Sequence, residues 1–426
     1  QIYDLEKEFK YIQNNYPAIL KVNIIEIFYL MKFFENKKLI LFRSFIALNL
    51  HLFIKLKIAL KNNFLKKHKV KKIDLVLFSV HKLQDQINFA QISNFLLKKN
   101  KKHLVIFGPK SSSFGLRKIY KNKNRIFYED YLNINHIFFG ILEFIKYLKD
   151  INKIIKFLKI KKLRFRIYKL YLDFFINNLL WKSLISEIKP KKILTSYFST
   201  NNSILYETKN FNNKINLIGY AFTGLDGDSG RYLFHDLDLL LVLGKVDIFI
   251  SRKIKKTNPS FMKFPKKIID VGHTRTDFFR KKNVYFTKNK RFNFLYIKSN
   301  PEHSDGLDDL AIYQFAKVIK KFRQVNFLIQ DRYNTSNTDI INQMIEDKLI
   351  KKKQVFKETF LEKLISKAYI CIGTNSTALL RQAPSLDAPI IQLYPKKHHM
   401  FDFSGTVLTA NNETEIENII KKIIYN

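Results

Sequence analysis

The sequence predicts an α/β protein: two successive parallel-sheet domains facing a cleft, with extra helices at the N-terminus and inserted into the first domain. Three observations predict it. Short β-branched and aromatic runs alternate with helix-length segments at residues 73–108 and again at 292–393. Strand, helix, strand in about 35 residues is a βαβ unit, and its crossover makes the strands parallel. Residues 2–65 and 133–188 instead carry apolar residues at helical spacing with few breakers. The third observation is length: 426 residues give two or three domains at ~100–200 residues each.

Composition narrows the class. With 46% hydrophobic residues the chain can bury a core, and whole-chain disorder is excluded. Twelve glycines and nine prolines exclude collagen-like and Gly/Pro low-complexity architectures. A single cysteine, Cys371, excludes an internal disulfide framework and Cys-rich metal centres, and it fits a reducing, cytoplasmic setting. Inside an apolar strand it reads as an inert core residue. No uninterrupted apolar run of ~18 residues occurs; the nearest, residues 39–54, contains Arg43 and His51. Net charge is +40, from 76 Lys+Arg against 36 Asp+Glu, and points to a polyanionic partner. The lysines accompany abundant Ile, Asn and Phe, the residues of A/T-rich codons, so charge alone names no partner.

The elements follow in order. Residues 2–65 read as helices. Residues 73–80 (IDLVLFSV) are a buried-type strand, 85–99 a helix and 104–108 a second strand. Residues 133–188 are a long helical stretch with the basic cluster Lys161, Lys162, Arg164 and Arg166, a pattern suited to peripheral contact with an anionic membrane. Strands resume at 192–195, 215–220 and 237–243. Six of the twelve glycines lie between Gly219 and Gly272, where backbone freedom is concentrated. Residues 281–290, charged and aperiodic, are the candidate linker, which divides the chain into residues 1–285 and 286–426. The second domain reads as strand 292–297, helix 307–322, strand 325–329, helix 338–349, short helix 360–367, strand 368–372, helix 377–382, strand 389–393 and helix 413–424. Both halves are Rossmann-like, and ligands of such sheets bind outside the carboxyl ends of the strands.

The most informative turn follows the strand that contains Cys371. Gly373 ends the strand, and Thr374, Asn375, Ser376 and Thr377 cap the next helix. Free N–H groups and the positive end of the helix dipole suit a phosphate there, with hydroxyls of Thr374, Ser376 and Thr377 as extra donors. Residues 374–393 (TNSTALLRQAPSLDAPIIQL) resemble, without a gap, the C-terminal-domain motif of UDP-N-acetylglucosamine 2-epimerases. They are equally similar to the corresponding segment of CDP-glycerol and polysaccharide-type glycosyltransferases. Both groups have the GT-B architecture. Residues 231–244 (RYLFHDLDLLLVLG) and 271–277 (VGHTRTD) are similar to the end of the N-terminal domain in these families. The resemblance spans residues 192–395. It implies two Rossmann-like domains and a nucleotide-diphosphate site on the C-terminal one.

Departures from the families bear on the reaction. Such an epimerase needs carboxylates on the N-terminal domain to move a proton. Here the position after strand 192–195 reads Ser196-Tyr197-Phe198, and Phe222 stands where a glutamate is expected before Gly224-Leu225. The glycerophosphotransferase pattern is incomplete too, since Gln330-Asp331-Arg332 lacks its His-Pro. The remaining candidates suit group transfer. Asp226 and Asp228, in loop 223–231 (TGLDGDSGR), are candidate bases for an acceptor hydroxyl. The resemblance implies that His303, after the first strand of the second domain, touches the nucleotide; Glu302 beside it suits a ribose hydroxyl. Arg275 and Arg332 suit bidentate contact with phosphate. His398 and His399 are adjacent and diverge, so no metal site is expected.

The expectation is a metal-independent glycosyltransferase without a resident cofactor. It moves a sugar or sugar-like unit from a nucleotide-activated donor to a glycan or lipid-linked acceptor, at the inner face of a membrane. Alternatives are an NDP-sugar 2-epimerase and a basic nucleic-acid-binding protein. The last lacks any reading module, and its lysines are spread through every segment, so no nucleic acid is expected.

Overall fold

The computed structural model describes residues 11–12, 14–15, 40–63, 72–79, 83–108, 121, 123–195, 207–208, 215–221, 237–256, 264–272, 292–299, 307–331, 339–357, 361–374, 383, 388–394 and 407–425. The chain divides into two compact units, Gln1–Gly272 and His273–Asn426; the linker expected at residues 281–290 lies outside the described residues.

The first unit holds a seven-stranded sheet. Its strands are β1 (Leu75–Ser79), β2 (Leu104–Phe107), β3 (Arg125–Phe127), β4 (Lys192–Thr195), β5 (Asn216–Tyr220), β6 (Leu239–Val242) and β7 (Lys267–Asp270). All pair in parallel, in the order β3-β2-β1-β4-β5-β6-β7. Alternate side chains serve opposite cores, as the pleat requires. Val76 and Phe78 join Ile106, Ile193 and Trp181 on one face, whereas Leu77 joins Phe89, Val105, Phe107 and Tyr220 on the other. Because both faces are covered, strands read as unbroken apolar runs rather than alternating ones.

Helix α1 (Ile40–Asn63) lies among the residues expected to be helical, and α2 (Leu83–Lys98) connects β1 to β2. The stretch 133–188 is two helices, α3 (Ile134–Phe157) and α4 (Arg164–Ile188). Asn133 caps α3 reciprocally: its Oδ1 accepts from His136 N–H at 3.0 Å, and its own N–H donates to His136 Nδ1 at 3.2 Å. The break comes at Lys159, whose φ of 55° turns the chain back. The two helices then run antiparallel, with Gly140 against Ile176, and Phe144 near Tyr168 at 5.7 Å between ring centroids. On α4, Ile167, Tyr171, Phe174, Ile176, Leu180 and Trp181 are buried, whereas Lys161 and Lys162 just before it and Arg164 at its start are exposed. Helix α5 (Lys245–Lys256) was not expected; Asp247 Oδ2 accepts from the N–H groups of Leu243 and Gly244 at its start.

The second unit repeats the plan with six parallel strands. These are β8 (Phe292–Ile297), β9 (Val325–Gln330), β10 (Val355–Phe356), β11 (Ile370–Gly373), β12 (Ile390–Leu393) and β13 (Leu408–Ala410), in the order β10-β9-β8-β11-β12-β13. Helices α6 (Leu307–Ile319), α7 (Asp339–Glu346), α8 (Glu362–Ile365) and α9 (Glu413–Tyr425) complete it. Phe294, Tyr296 and Ile372 face a core containing α6 and α9, and Leu295, Ile297 and Cys371 face the opposite one. Each fully buried side chain of this kind contributes roughly 1.5–3 kcal/mol. The helix expected at 377–382 lies outside the described residues.

Four strands had no counterpart in the sequence reading: β3, β7, β10 and β13. They are the four edges of the two sheets. An edge strand is covered on fewer sides, so its sequence needs no continuous apolar run and carries a weak signal. Among the described residues no helix is long and apolar enough to cross a membrane.

Candidate functional site

In the second sheet the chain leaves β8 toward β9 and β10, then returns beside β8 as β11 and proceeds to β12 and β13 on the other side. Connections that diverge in this way leave a crevice at the carboxyl ends of β8 and β11. Polar residues stand at those ends: Lys298 and Ser299 after β8, and Thr374 after Gly373 of β11.

They form one bonded cluster. The Thr374 hydroxyl donates to Asp308 Oδ1 at 2.8 Å, and its oxygen lies 3.0 Å from Ser299 Oγ. Asp308 Oδ2 accepts from the Ser299 N–H at 3.2 Å, and Oδ1 accepts from the Tyr296 hydroxyl at 3.1 Å. Asp308 lies in the first turn of α6, where the helix dipole favours an anion. Burial nevertheless wins and pushes its carboxyl above the ordinary carboxylate value. Bonds from Thr374, Ser299 and Tyr296, together with the Lys298 charge, oppose that shift. Lys298 is 2% exposed, and its Nζ stands 3.7 Å from Asp309 Oδ1. One strand over, Gln330 and Asp331 are buried at the end of β9; Gln330 Oε1 and Asp331 Oδ1 have no hydrogen-bond partner among the described residues.

The Thr374 hydroxyl thus ties β8, β11 and α6 together through Asp308 and Ser299. Gly373 is buried at the strand end. Cys371 is fully buried, and burial pushes its thiol far above the usual range, consistent with an inert core residue. Asp226, Asp228, Arg275, Glu302, His303, Arg332, Asn375, Ser376 and Thr377 lie outside the described residues, as do His398 and His399.

Sequence reasoning passed over Lys298 and Asp308. A signal existed for the first, because a lysine directly follows the apolar strand FNFLYI. For Asp308 the signal was an acid in the first turn of the helix after that strand. Its partner Thr374 is 66 residues away, a contact only the fold supplies. In the first sheet the equivalent divergence lies between β1 and β4, and Thr195 at the end of β4 is buried with its hydroxyl unpartnered among the described residues. No group of three metal-ligating side chains occurs among the described residues.

No family model matches the sequence. No curated protein matches it. Solved structures do match. A UDP-GlcNAc 2-epimerase from Neisseria meningitidis, bound to UDP-GlcNAc, aligns with TM-score 0.51 at 15% identity over 82% of this chain and 91% of that one. The UDP-GlcNAc 2-epimerase of Methanocaldococcus jannaschii aligns with TM-score 0.50 at 12% identity over 83% of this chain and 100% of that one. A glycosyltransferase from Rickettsia africae aligns with TM-score 0.45 at 11% identity, over 83% of this chain and 88% of that one. At these identities the likeness speaks for architecture: the chain has the α/β GT-B fold, with two Rossmann-like parallel sheets.

Proposed function

We propose that the protein is a nucleotide-sugar enzyme of the glycosyltransferase type, with the donor's diphosphate seated at the divergence of β8 and β11. The observation that carries this reading is the cluster Lys298–Ser299–Asp308–Thr374. It places a buried cation and a braced turn where parallel sheets of this kind receive anionic ligands. In this reading the N–H groups of Asn375, Ser376 and Thr377 hold phosphate oxygens, with the hydroxyls of Ser376 and Thr377 beside them. Arg275, Arg332 and His303 offset the charge that grows on the leaving diphosphate, and Glu302 binds a ribose hydroxyl. Asp226 or Asp228 accepts the acceptor's hydroxyl proton. As the acceptor oxygen bonds to the sugar's anomeric carbon, the bond from that carbon to the phosphate oxygen breaks, and the nucleoside diphosphate leaves with the electron pair. No metal is needed in that scheme.

A second reading, an NDP-sugar 2-epimerase, is favoured by the solved structures at TM-scores of 0.50 and 0.51. Against it stand Ser196, Phe198 and Phe222, where the family resemblance calls for carboxylates.

Two measurements test the proposal. In a thermal-shift panel of UDP, CDP and GDP, one nucleotide at 100 times its Kd should stabilise the fold by ~2.7 kcal/mol, a rise of roughly 5–10 °C. Ser376→Ala and Lys298→Gln should reduce that rise. Incubation with the sugar form of that nucleotide in deuterated water then separates the chemistries. Deuterium at sugar C2 marks an epimerase, and release of nucleoside diphosphate only with an acceptor marks a transferase. No response to any nucleotide would sink both readings.

A further inference from the structure

Helix α1 has two apolar sides: Ala59, Leu48, Leu52 and Ile58 pack into the core of the first unit, and a second set of apolar residues faces outward. The inward side also carries polar residues: Ser44 Oγ accepts from Arg166 Nε at 3.1 Å, and His51 pairs with Asp173. Lys55 Nζ reaches Asp173 Oδ1 at 2.8 Å and Asn177 Oδ1 at 3.0 Å. Asn62 Nδ2 donates to the carbonyls of Glu129 and Leu132. The pairs 44–166, 51–173 and 55–177 keep one offset, so α1 lies parallel to α4 along a polar seam. The outward side carries Phe42, Phe45, Ile46, Leu50, Phe53 and Leu60, between 43% and 65% exposed. Residues 42, 46, 50, 53 and 60 recur every three, four or seven positions and form one stripe. A helix that packs one side on a core normally exposes a polar one, so folding alone does not explain this second apolar stripe.

Charge identifies the occupant. Arg43, Lys57 and Lys61 are exposed along the flank of the stripe, and α1 contains no acidic residue. The neighbouring α3 repeats the combination. Phe138, Phe139, Leu142 and Ile145 are exposed in its first half, and Lys146, Lys149, Lys153 and Lys156 in its second. Apolar side chains next to lysine and arginine are what a helix needs to lie in the plane of an anionic bilayer, with rings in the acyl boundary and cations among the headgroups. A second copy is a poorer fit, because it would set the same cationic flank against itself on a chain of net charge +40.

We propose that the exposed faces of α1 and α3 seat the protein on a bilayer of anionic phospholipid, lying in the interface without crossing it. This stands apart from the nucleotide-sugar reading, since attachment requires no nucleotide. The test is co-sedimentation of the full chain with phosphatidylcholine vesicles, with and without phosphatidylglycerol, at low and high salt. The expected result is partition onto the anionic vesicles, at least tenfold weaker on phosphatidylcholine alone. Leu50→Ser/Phe53→Ser, which leaves the charge unchanged, should weaken it about tenfold or more at an unchanged melting temperature, which nonspecific attraction of a basic chain would not do. Phe138→Ser, on the other helix, keeps the test intact if the double variant fails to fold. Absence of vesicle binding by the wild type overturns the proposal. So does binding that survives both sets of substitutions, or a dimer that Leu50→Ser/Phe53→Ser dissolves while the wild type ignores lipid.

Discussion

Replacing Thr374 by valine removes one hydroxyl and almost no volume, and with it the bond to Asp308 and the contact with Ser299 Oγ. The buried carboxylate would lose its 2.8 Å donor and keep the Ser299 N–H and the Tyr296 hydroxyl. A hydrogen bond to a charged group contributes about 1.5–3 kcal/mol, so a loss of ~2 kcal/mol is expected. In a unit of about 150 residues that lowers the unfolding temperature by about 4–8 °C. Cys371, the sole cysteine and fully buried two residues before the end of β11, provides a reporter specific to this unit. The temperature at which a fluorogenic maleimide reacts with it tracks opening of the second sheet. The pH dependence sharpens the test. The carboxyl of Asp308 is already raised above its unfolded value, so its protonated form favours the fold and stability falls as pH climbs through the folded pKa. Thr374 opposes that rise, and valine therefore raises the pKa further. The variant's deficit should be largest near neutral pH and shrink as pH falls below the folded pKa, where Asp308 is protonated in wild type and variant alike. An unfolding temperature equal to wild type, or a deficit independent of pH, would refute the argument.

Two further predictions concern the first unit, which holds the only tryptophan, Trp181. Burial would raise the Asp173 carboxyl, but Lys55, His51 and Lys169 outweigh it and hold the group well below the usual range. The stability this carboxylate provides is present above its unfolded value of ~3.9 and is lost as pH falls through the folded one. Asp173→Asn should cost roughly 2–3 kcal/mol by stranding Lys55, a loss between the exposed-pair and buried-pair limits, and should blunt the acid sensitivity of Trp181 fluorescence. Gly140→Ala should also destabilise, although alanine gains ~1 kcal/mol of helix propensity. A Cβ there falls 2.5 Å from Ile176 Cγ1 and 2.9 Å from its Cα, so α3 and α4 must separate at about 1–3 kcal/mol. A higher melting temperature for Gly140→Ala would show that the helix pair yields more easily than this packing implies.

The sequence by itself determined the doubly wound architecture and most of the central strands. A strand buried on both faces must be apolar at every position, and IDLVLFSV and FNFLYI could be read directly. It also singled out the turn after Gly373, since hydroxyl and amide residues between a buried strand and a helix advertise free backbone donors. Tertiary structure alone decided the edge strands, which are partly covered and need no such pattern. It likewise decided the partner of Thr374, whose hydroxyl bonds to an aspartate 66 positions away. The orientation of α1 was beyond the sequence for a related reason. Apolar residues lie nearly all round this helix, so which side turns inward depends on its neighbours: α4 offers Asp173 and Asn177 to Lys55, beside the core that takes Ala59.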